Sequence, residues 1–224
     1  MRSSLQLPLP LPSRCAFGRD DLIVDSANEC AVGFIDSWPD WPARVAAIFG
    51  PPGCGKTHLT SIWRERSGAR ILVAAEIAGH NFQRGEMLAV EDVDSTDASP
   101  ERDAALFGLI ESGNGWILFT GRTPPATWVC ALPDLASRFS SLTALQLHAP
   151  DEALLAALAR RLFSDRQLIV PDGVIEAMLC RLERSAGAIR DFVAELDAAA
   201  LATARPITLT LVRNLIAARE PGAP

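Results

Sequence analysis

The eight residues Gly50–Thr57 constrain the fold more than any other part of this chain. They read Gly-Pro-Pro-Gly-Cys-Gly-Lys-Thr, they directly follow the apolar run 45–49, and an apolar helical pattern follows over 59–63. A strand that turns through glycines into a helix can aim several backbone N–H groups at one anion, and the helix dipole adds to the attraction. The sequence therefore predicts a phosphate-binding loop between a strand and a helix.

Each residue type in this loop has a part in the predicted chemistry. The glycines at 50, 53 and 55 allow backbone angles that residues with a β-carbon resist. Lys56 is expected to reach the β- and γ-phosphates of ATP or ADP, and the Thr57 hydroxyl is expected to bind Mg²⁺. The predicted nucleotide-binding residues are Gly50, Pro51, Pro52, Gly53, Cys54, Gly55, Lys56, Thr57 and His58.

The composition is that of a globular protein, since 49% of the 224 residues are hydrophobic and 21% are charged. A net charge of −6 argues against a broad nucleic-acid-binding surface, although a small basic patch stays open. The five cysteines form no Cys-x-x-Cys pair, which favours reduced thiols and no cysteine metal site. The absence of a long apolar run and of a signal-peptide pattern predicts a cytoplasmic protein with no membrane partner.

Apolar runs that alternate with helical patterns predict a parallel sheet with helices on both faces, because such strands are buried on both sides. Residues 26–38 are predicted to form a helix that ends at Pro39. The predicted strands are 44–49, 70–75, 87–93, 116–120 and 142–147, and the predicted helices between them are 57–66, 100–112 and 134–139.

After Pro150 the composition shifts to Ala, Leu and Arg, and three helical stripes of apolar residues follow. A strand is expected only over 207–211. The predicted organisation is a leading peptide over 1–13, an α/β domain over 14–149 and a small helical domain over 150–224.

Two carboxylates, Glu91 and Asp92, close the predicted strand 87–93. Magnesium prefers oxygen ligands, so one carboxylate can orient its water molecules while the other polarises an attacking water. Thr57, Glu91 and Asp92 are therefore the predicted Mg²⁺ site. Two arginines farther along, Arg138 and Arg190, are each open to an ordinary surface role or to a role at the nucleotide.

The leading peptide alternates leucine with proline, which rules out a helix or a central strand and favours an extended conformation. One interpretation is a stiff linker. The other is a short linear motif that binds a partner's pocket through Gln6, Leu7, Leu9 and Leu11.

The order of these motifs resembles that of AAA+ ATPases, specifically the DnaA-related branch, over residues 17 to about 218. Residues 50–57 resemble its Walker A motif and 88–92 its Walker B motif. Residues 132–139 resemble its box VII and 187–192 its second-sensor helix. This resemblance implies an AAA+ P-loop fold with a five-stranded parallel sheet and a helical lid. It also implies that Arg138 acts in trans as an intersubunit finger and that Arg190 meets the phosphates.

Residues 6–11 resemble a sliding-clamp-binding motif, and the chain stops at Pro224 where DnaA continues into a DNA-binding domain. This combination is similar to the Hda/HdaA family of regulators. The resemblance implies that the clamp and the ATP form of DnaA are partners, that DNA is contacted only through the clamp, and that DnaA-bound ATP is hydrolysed. Association with the replisome is implied as well, and a homodimer or larger assembly stays open.

Two positions depart from the DnaA pattern: Glu91 stands where Asp is usual, and Arg122 stands where an acidic sensor residue is common. We therefore expect little intrinsic ATPase activity. One alternative is a helicase-loader or initiator-like ATPase that acts on DNA. Another is a small-molecule kinase, for which Arg160 and Arg161 give thin support.

Overall fold

The structure is a computed structural model of the chain, and it describes residues 17–80, 83, 85–95, 97–113, 115–203 and 205–219. It divides into two compact units. The first is Phe17–Ala149, and the second contains the helices that follow Pro150.

The first unit is built on a five-stranded sheet in the order β2-β3-β4-β1-β5. All four neighbouring strand pairs are parallel. The sheet confirms the predicted fold class, with strand ends that differ from the prediction by at most two residues. The strands are β1 (Val45–Phe49), β2 (Arg70–Val73), β3 (Leu88–Glu91), β4 (Ile117–Gly121) and β5 (Thr143–Gln146).

Helices cover both faces of this sheet, and successive strand residues point to opposite sides. The four helices are α1 (Glu29–Asp36), α2 (Lys56–Ser67), α3 (Pro100–Ser112) and α4 (Pro133–Ser140). Ala46 and Ile48 pack with the core beneath α1 and α2, whereas Ala47 packs with the core beneath α3 and α4.

Three predicted elements in this unit are too long by at least two residues at one end: the helix over 26–38 and the strands over 70–75 and 87–93. The last strand ends at Glu91, because Asp92 has a φ of 56°. The helix predicted over 26–38 spans only Glu29–Asp36, because 25–28 form a turn in which the Asn28 side chain bonds backbone groups of Ile23 and Asp25. Residues 74–75 do not extend β2, because they begin a 3₁₀ helix over Ala74–Gly79 that buries Ala74 and Ile77.

An aromatic cluster fills the core beneath α1 and α2. The Trp41 ring stacks on Phe34 and on Trp63, with ring centroids 4.4 and 5.3 Å apart, and it meets Trp116 edge-on at 5.7 Å. The Trp41 indole N–H donates to the Phe34 carbonyl at 2.7 Å, so the polar atom of this buried ring is satisfied.

A second aromatic cluster fixes α4 from below. Phe139 is 1% exposed, and its ring meets Trp128 at 5.0 Å and Phe119 at 6.1 Å. Leu135, one turn earlier on the same face, is fully buried. The opposite face of α4 is therefore left to solvent.

All regular elements among the described residues of the second unit are helices. Its helices are α5 (Glu152–Asp165), α6 (Asp172–Leu179), α7 (Ala186–Thr203) and α8 (Leu209–Arg219). The strand predicted over 207–211 is wrong, because Thr208 starts α8. Its hydroxyl accepts from Leu211 N at 3.3 Å and its carbonyl accepts from Val212 N at 3.1 Å. Across the part of the chain that the structure describes, no helix is both long and apolar enough to cross a bilayer.

Candidate functional site

The predicted phosphate-binding loop begins where β1 ends, between β4 and β5. Gly50 N donates to the Gly121 carbonyl of β4 at 3.2 Å. A Cβ atom at Gly50 would lie 2.3 Å from the Leu147 carbonyl oxygen, which follows β5. Only glycine fits this approach, so the loop is built into the sheet rather than attached to it.

The loop ends at Gly55, whose φ of 106° is in the left-handed region, and α2 begins at Lys56. The Lys56 ammonium donates to the carbonyls of Gly50 at 2.7 Å and Pro51 at 3.0 Å. The Lys56 side chain therefore lies against the loop in which it is predicted to bind phosphate. Burial raises the pKa of the Cys54 thiol, and the Lys56 charge only partly counteracts it, so this thiol stays protonated at neutral pH.

The predicted metal ligands Thr57 and Glu91 come together between α2 and the end of β3. Burial raises the pKa of Glu91, hydrogen bonding from the Thr57 hydroxyl opposes this effect, and the Asp92 charge adds to it. Glu91 Oε1 is buried and has no hydrogen-bond partner among the described residues. A buried carboxylate oxygen without a partner, next to a threonine hydroxyl, suits a hard cation such as Mg²⁺.

Asp92 follows Glu91 with a φ of 56°, an unusual backbone conformation for a residue other than glycine. Its N–H donates to the Thr120 hydroxyl at 3.2 Å, and the next N–H, of Val93, donates to the Thr120 carbonyl at 2.9 Å. These bonds link the end of β3, which carries the two predicted carboxylates, to the end of β4.

Asp94 is a site residue that the sequence analysis missed. Its Oδ2 accepts from Arg122 N at 2.7 Å, from Thr123 N at 2.8 Å and from the Thr123 hydroxyl at 2.8 Å. Its Oδ1 is buried and unpaired among the described residues. Because two of its three partners are backbone groups, no residue pattern in the sequence predicts this role of Asp94. Asp94 fixes the loop after β4, while the Arg122 side chain stays exposed.

His58 is buried beside the loop, and its side chain faces the segment 17–18. Its Nε2 lies 3.0 Å from the Gly18 carbonyl oxygen, and its ring meets Phe17 edge-on with centroids 5.3 Å apart. The imidazole thus holds residues 17–18 against α2. A nucleotide contact by His58 stays a prediction.

Arg138 lies on the exposed face of α4. Its side chain is 50% exposed, and its Nη2 is 2.7 Å from Oε1 of Glu111, which is 43% exposed. Arg190 lies on α7 in the second unit, beside the buried Ile189, and its contact with phosphates stays a prediction. The predicted clamp-binding residues Gln6, Leu7, Leu9 and Leu11 lie outside the described residues.

Within the described residues, no group of three or more His, Cys, Asp or Glu side chains could hold a metal ion by itself. The Mg²⁺ site predicted from Thr57, Glu91 and Asp92 would therefore depend on phosphate oxygens and water for its remaining ligands. Cys30, Cys54, Cys130 and Cys180 are free thiols.

Comparison with solved structures identifies proteins that share the fold of this chain. Domain III of the replication initiation protein DnaA from Thermotoga maritima superimposes with a TM-score of 0.73 at 17% identity, over 92% of this chain and 98% of that domain. The chain has the AAA+ P-loop fold. RuvB from Thermotoga maritima is a more distant AAA+ neighbour, with a TM-score of 0.58 at 18% identity over 78% of this chain and 61% of that protein.

Sequence comparison gives relatives in DNA replication. The replication factor C large subunit of Aeropyrum pernix is 29% identical over 224 residues, which cover 88% of this chain and 43% of that protein. The same subunit of Staphylothermus marinus is 27% identical, over 87% of this chain and 49% of that protein. The chain thus spans less than half the length of these curated relatives. No protein-family model matches the chain.

Proposed function

We propose that this protein is a nucleotide-dependent AAA+ regulator of DNA replication that promotes hydrolysis of the ATP bound by a DnaA-type partner. The observation that carries the proposal is the placement of Arg138. Its helix is fixed from below by buried Leu135 and Phe139, while its guanidinium is half exposed. A rigid, outward-facing arginine on an AAA+ fold suits action on another molecule's nucleotide.

ADP or ATP with Mg²⁺ is the proposed ligand of this chain's own loop. Lys56 would exchange the loop carbonyls for phosphate oxygens, while Thr57 and Glu91 would hold the metal ion, which neutralises phosphate charge when bound. Asp92 would orient water, and Arg190 is the arginine proposed to contact the phosphates. A solved DnaA structure of this fold is bound to AMPPCP, at 16% identity.

We propose that the nucleotide in this chain serves mainly as a conformational ligand. Burial raises the pKa of Glu91, which disfavours the ionised form that a metal ion needs. Arg122, directly after β4, adds a cation where the DnaA-related pattern commonly has an acid. Both features favour slow intrinsic hydrolysis by the isolated protein.

In the proposed mechanism, Arg138 leaves Glu111 and enters the partner's nucleotide site. An arginine supplied in trans stabilises charge on the transferring phosphoryl group and accelerates hydrolysis by about 10³–10⁵ in the best-studied cases. The pair with Glu111 is exposed at both ends, and such pairs are worth about 0–1 kcal/mol, so exchange of partners is inexpensive.

The sliding clamp is the proposed tether. Gln6, Leu7, Leu9 and Leu11 would bind it as a pre-extended peptide, which raises the local concentration of this protein where the clamp is loaded on DNA. DNA would then be contacted only through the clamp.

The test is a reconstitution with loaded clamp, ATP-charged DnaA and this protein. Wild type is expected to accelerate hydrolysis of the DnaA-bound ATP, and Arg138→Ala is expected to lose most of that effect while binding nucleotide normally. Arg64→Ala, which removes an exposed arginine from α2, is the matched control. Gln6→Ala with Leu9→Ala is expected to lose the dependence on the clamp. If the wild-type protein does not accelerate hydrolysis of the DnaA-bound ATP, the proposal is refuted.

A second candidate is a helicase-loader or initiator-like ATPase that acts on DNA. It is favoured by the 29% identity to a replication factor C large subunit over 88% of this chain. This candidate predicts rapid ATP hydrolysis by the isolated protein, further stimulation by DNA, and salt-sensitive DNA binding. Measurement of ATP hydrolysis by the same preparation without DnaA separates the two functions, because only the second candidate predicts rapid hydrolysis there.

A further inference from the structure

Helix α3 contains a buried ion pair that the proposed mechanism does not use. Arg102 is 3% exposed and Asp103 is fully buried. Arg102 Nε and Nη2 donate to Asp103 Oδ1 at 2.9 and 2.7 Å. Burying two charges is unfavourable unless their remaining hydrogen bonds are also made, and apolar residues of similar size often give equal stability. The contacts that this pair makes elsewhere therefore matter more than the pair itself.

Both members of the pair bond the backbone of the segment 129–131. Arg102 Nη2 donates to the Val129 carbonyl at 2.7 Å, and Asp103 Oδ2 accepts from Ala131 N at 2.5 Å. Val129 and Ala131 are exposed residues, so burial of their own side chains does not hold this segment in place. What the pair adds is a fixed position for this segment.

The segment 129–131 leads directly into α4, whose first residue is Pro133. The same helix α3 also supplies Glu111, which pairs with Arg138 near the end of α4. Helix α3 thus holds the arginine-bearing helix at two places, at its entry through a buried charge pair and at its exit through an exposed one.

We propose that Arg102 and Asp103 are positioning residues for Arg138: through the segment 129–131 they fix the orientation in which α4 presents the arginine to a partner's nucleotide. This inference rests on the proposed function. An arginine that acts in trans must arrive within about 1 Å of its productive place, since misplacement of that size lowers rates by about a hundredfold. A short helix with eight residues needs such external restraint.

The test replaces the pair with apolar residues, Arg102→Met with Asp103→Val, so that no unpaired buried charge remains. The matched control, Arg64→Met with Glu65→Val, removes adjacent opposite charges from an exposed part of α2. Two quantities are measured in each variant: amide hydrogen exchange in 131–140, and stimulated hydrolysis of ATP bound to DnaA.

In the double variant, amide exchange over 131–140 is expected to rise at least about tenfold while exchange in α1 is unchanged, and stimulation is expected to fall at least about tenfold with nucleotide binding intact. The control is expected to change neither quantity. Unchanged exchange over 131–140, or faster exchange with wild-type stimulation, would overturn the proposal.

Two other outcomes of the experiment can also be interpreted. If the double variant does not fold, the Ala131 amide of the wild-type protein decides: protection equal to that within α3 supports the proposal, and exchange as fast as an exposed loop overturns it. If wild type fails to stimulate hydrolysis but exchange responds as expected, the proposed function falls while the pair is still shown to hold α4.

Discussion

The substitution Gly50→Ala tests whether the phosphate-binding loop is built into the sheet. The added Cβ would lie 2.3 Å from the Leu147 carbonyl oxygen and 3.0 Å from Cys54 Sγ. Ordinary contact between such atoms begins near 3.5 Å, so the backbone at 50 or at 147 must move by about 1 Å. Overpacking of this kind costs about 2 kcal/mol of the free energy of unfolding, which lowers Tm by about 4–8 °C.

The displaced atoms are the start of the loop itself, so nucleotide affinity is expected to fall at least about tenfold as well. Thermal unfolding with and without ADP measures both effects. Gly108→Ala is the matched control, because a Cβ there meets nothing within 4 Å and the residue lies inside α3. It is expected to raise stability by about 0.5–1 kcal/mol. Wild-type Tm and affinity in Gly50→Ala would refute the reasoning.

Three other predictions concern Lys56, Glu91 and Phe139. Lys56→Ala is expected to abolish the rise in Tm that ADP produces in the wild type, and a normal rise would contradict the role given to this lysine. Because burial raises the pKa of Glu91 above its usual value of 4.5, its ionisation destabilises the fold as pH rises. Glu91→Gln is therefore expected to unfold at a higher Tm than wild type at pH 7 without Mg²⁺, with the difference vanishing below pH 4.5; an equal Tm at both pH values would show that burial does not act on this carboxyl. Phe139→Ala is expected to lower the free energy of unfolding by about 3–5 kcal/mol in chemical denaturation, since the ring is buried against Trp128 and Phe119. A loss below about 1 kcal/mol would mean that α4 is not fixed by this cluster.

The sheet could be predicted because its strands are buried on both faces and therefore read as continuous apolar runs. Strand ends were less predictable, since they depend on partners rather than on residue type. Ala74 and Ala75 suit a strand as well as the 3₁₀ helix in which they lie. Thr208 was misjudged for a similar reason: its β-branched neighbours suggested a strand, whereas its hydroxyl starts a helix.

The loop Gly50–Thr57 and the pair Glu91–Asp92 could be proposed as site residues from the sequence because their residue types are tied to phosphate and metal chemistry. Asp94 and the Arg102–Asp103 pair could not be located in this way. Most of their partners outside the pair are backbone groups, namely the N–H groups of Arg122, Thr123 and Ala131 and the carbonyl of Val129. A backbone group leaves no trace in the residue pattern.

The aromatic cluster around Trp41 has a spectroscopic consequence. All five tryptophans, at 38, 41, 63, 116 and 128, precede residue 150, and the chain contains no tyrosine. Intrinsic fluorescence therefore reports only on the sheet-containing unit, whereas far-UV circular dichroism is dominated by helices in both units. Unfolding curves recorded by the two signals from a single sample would coincide if the units melt together and separate if the helical unit melts on its own.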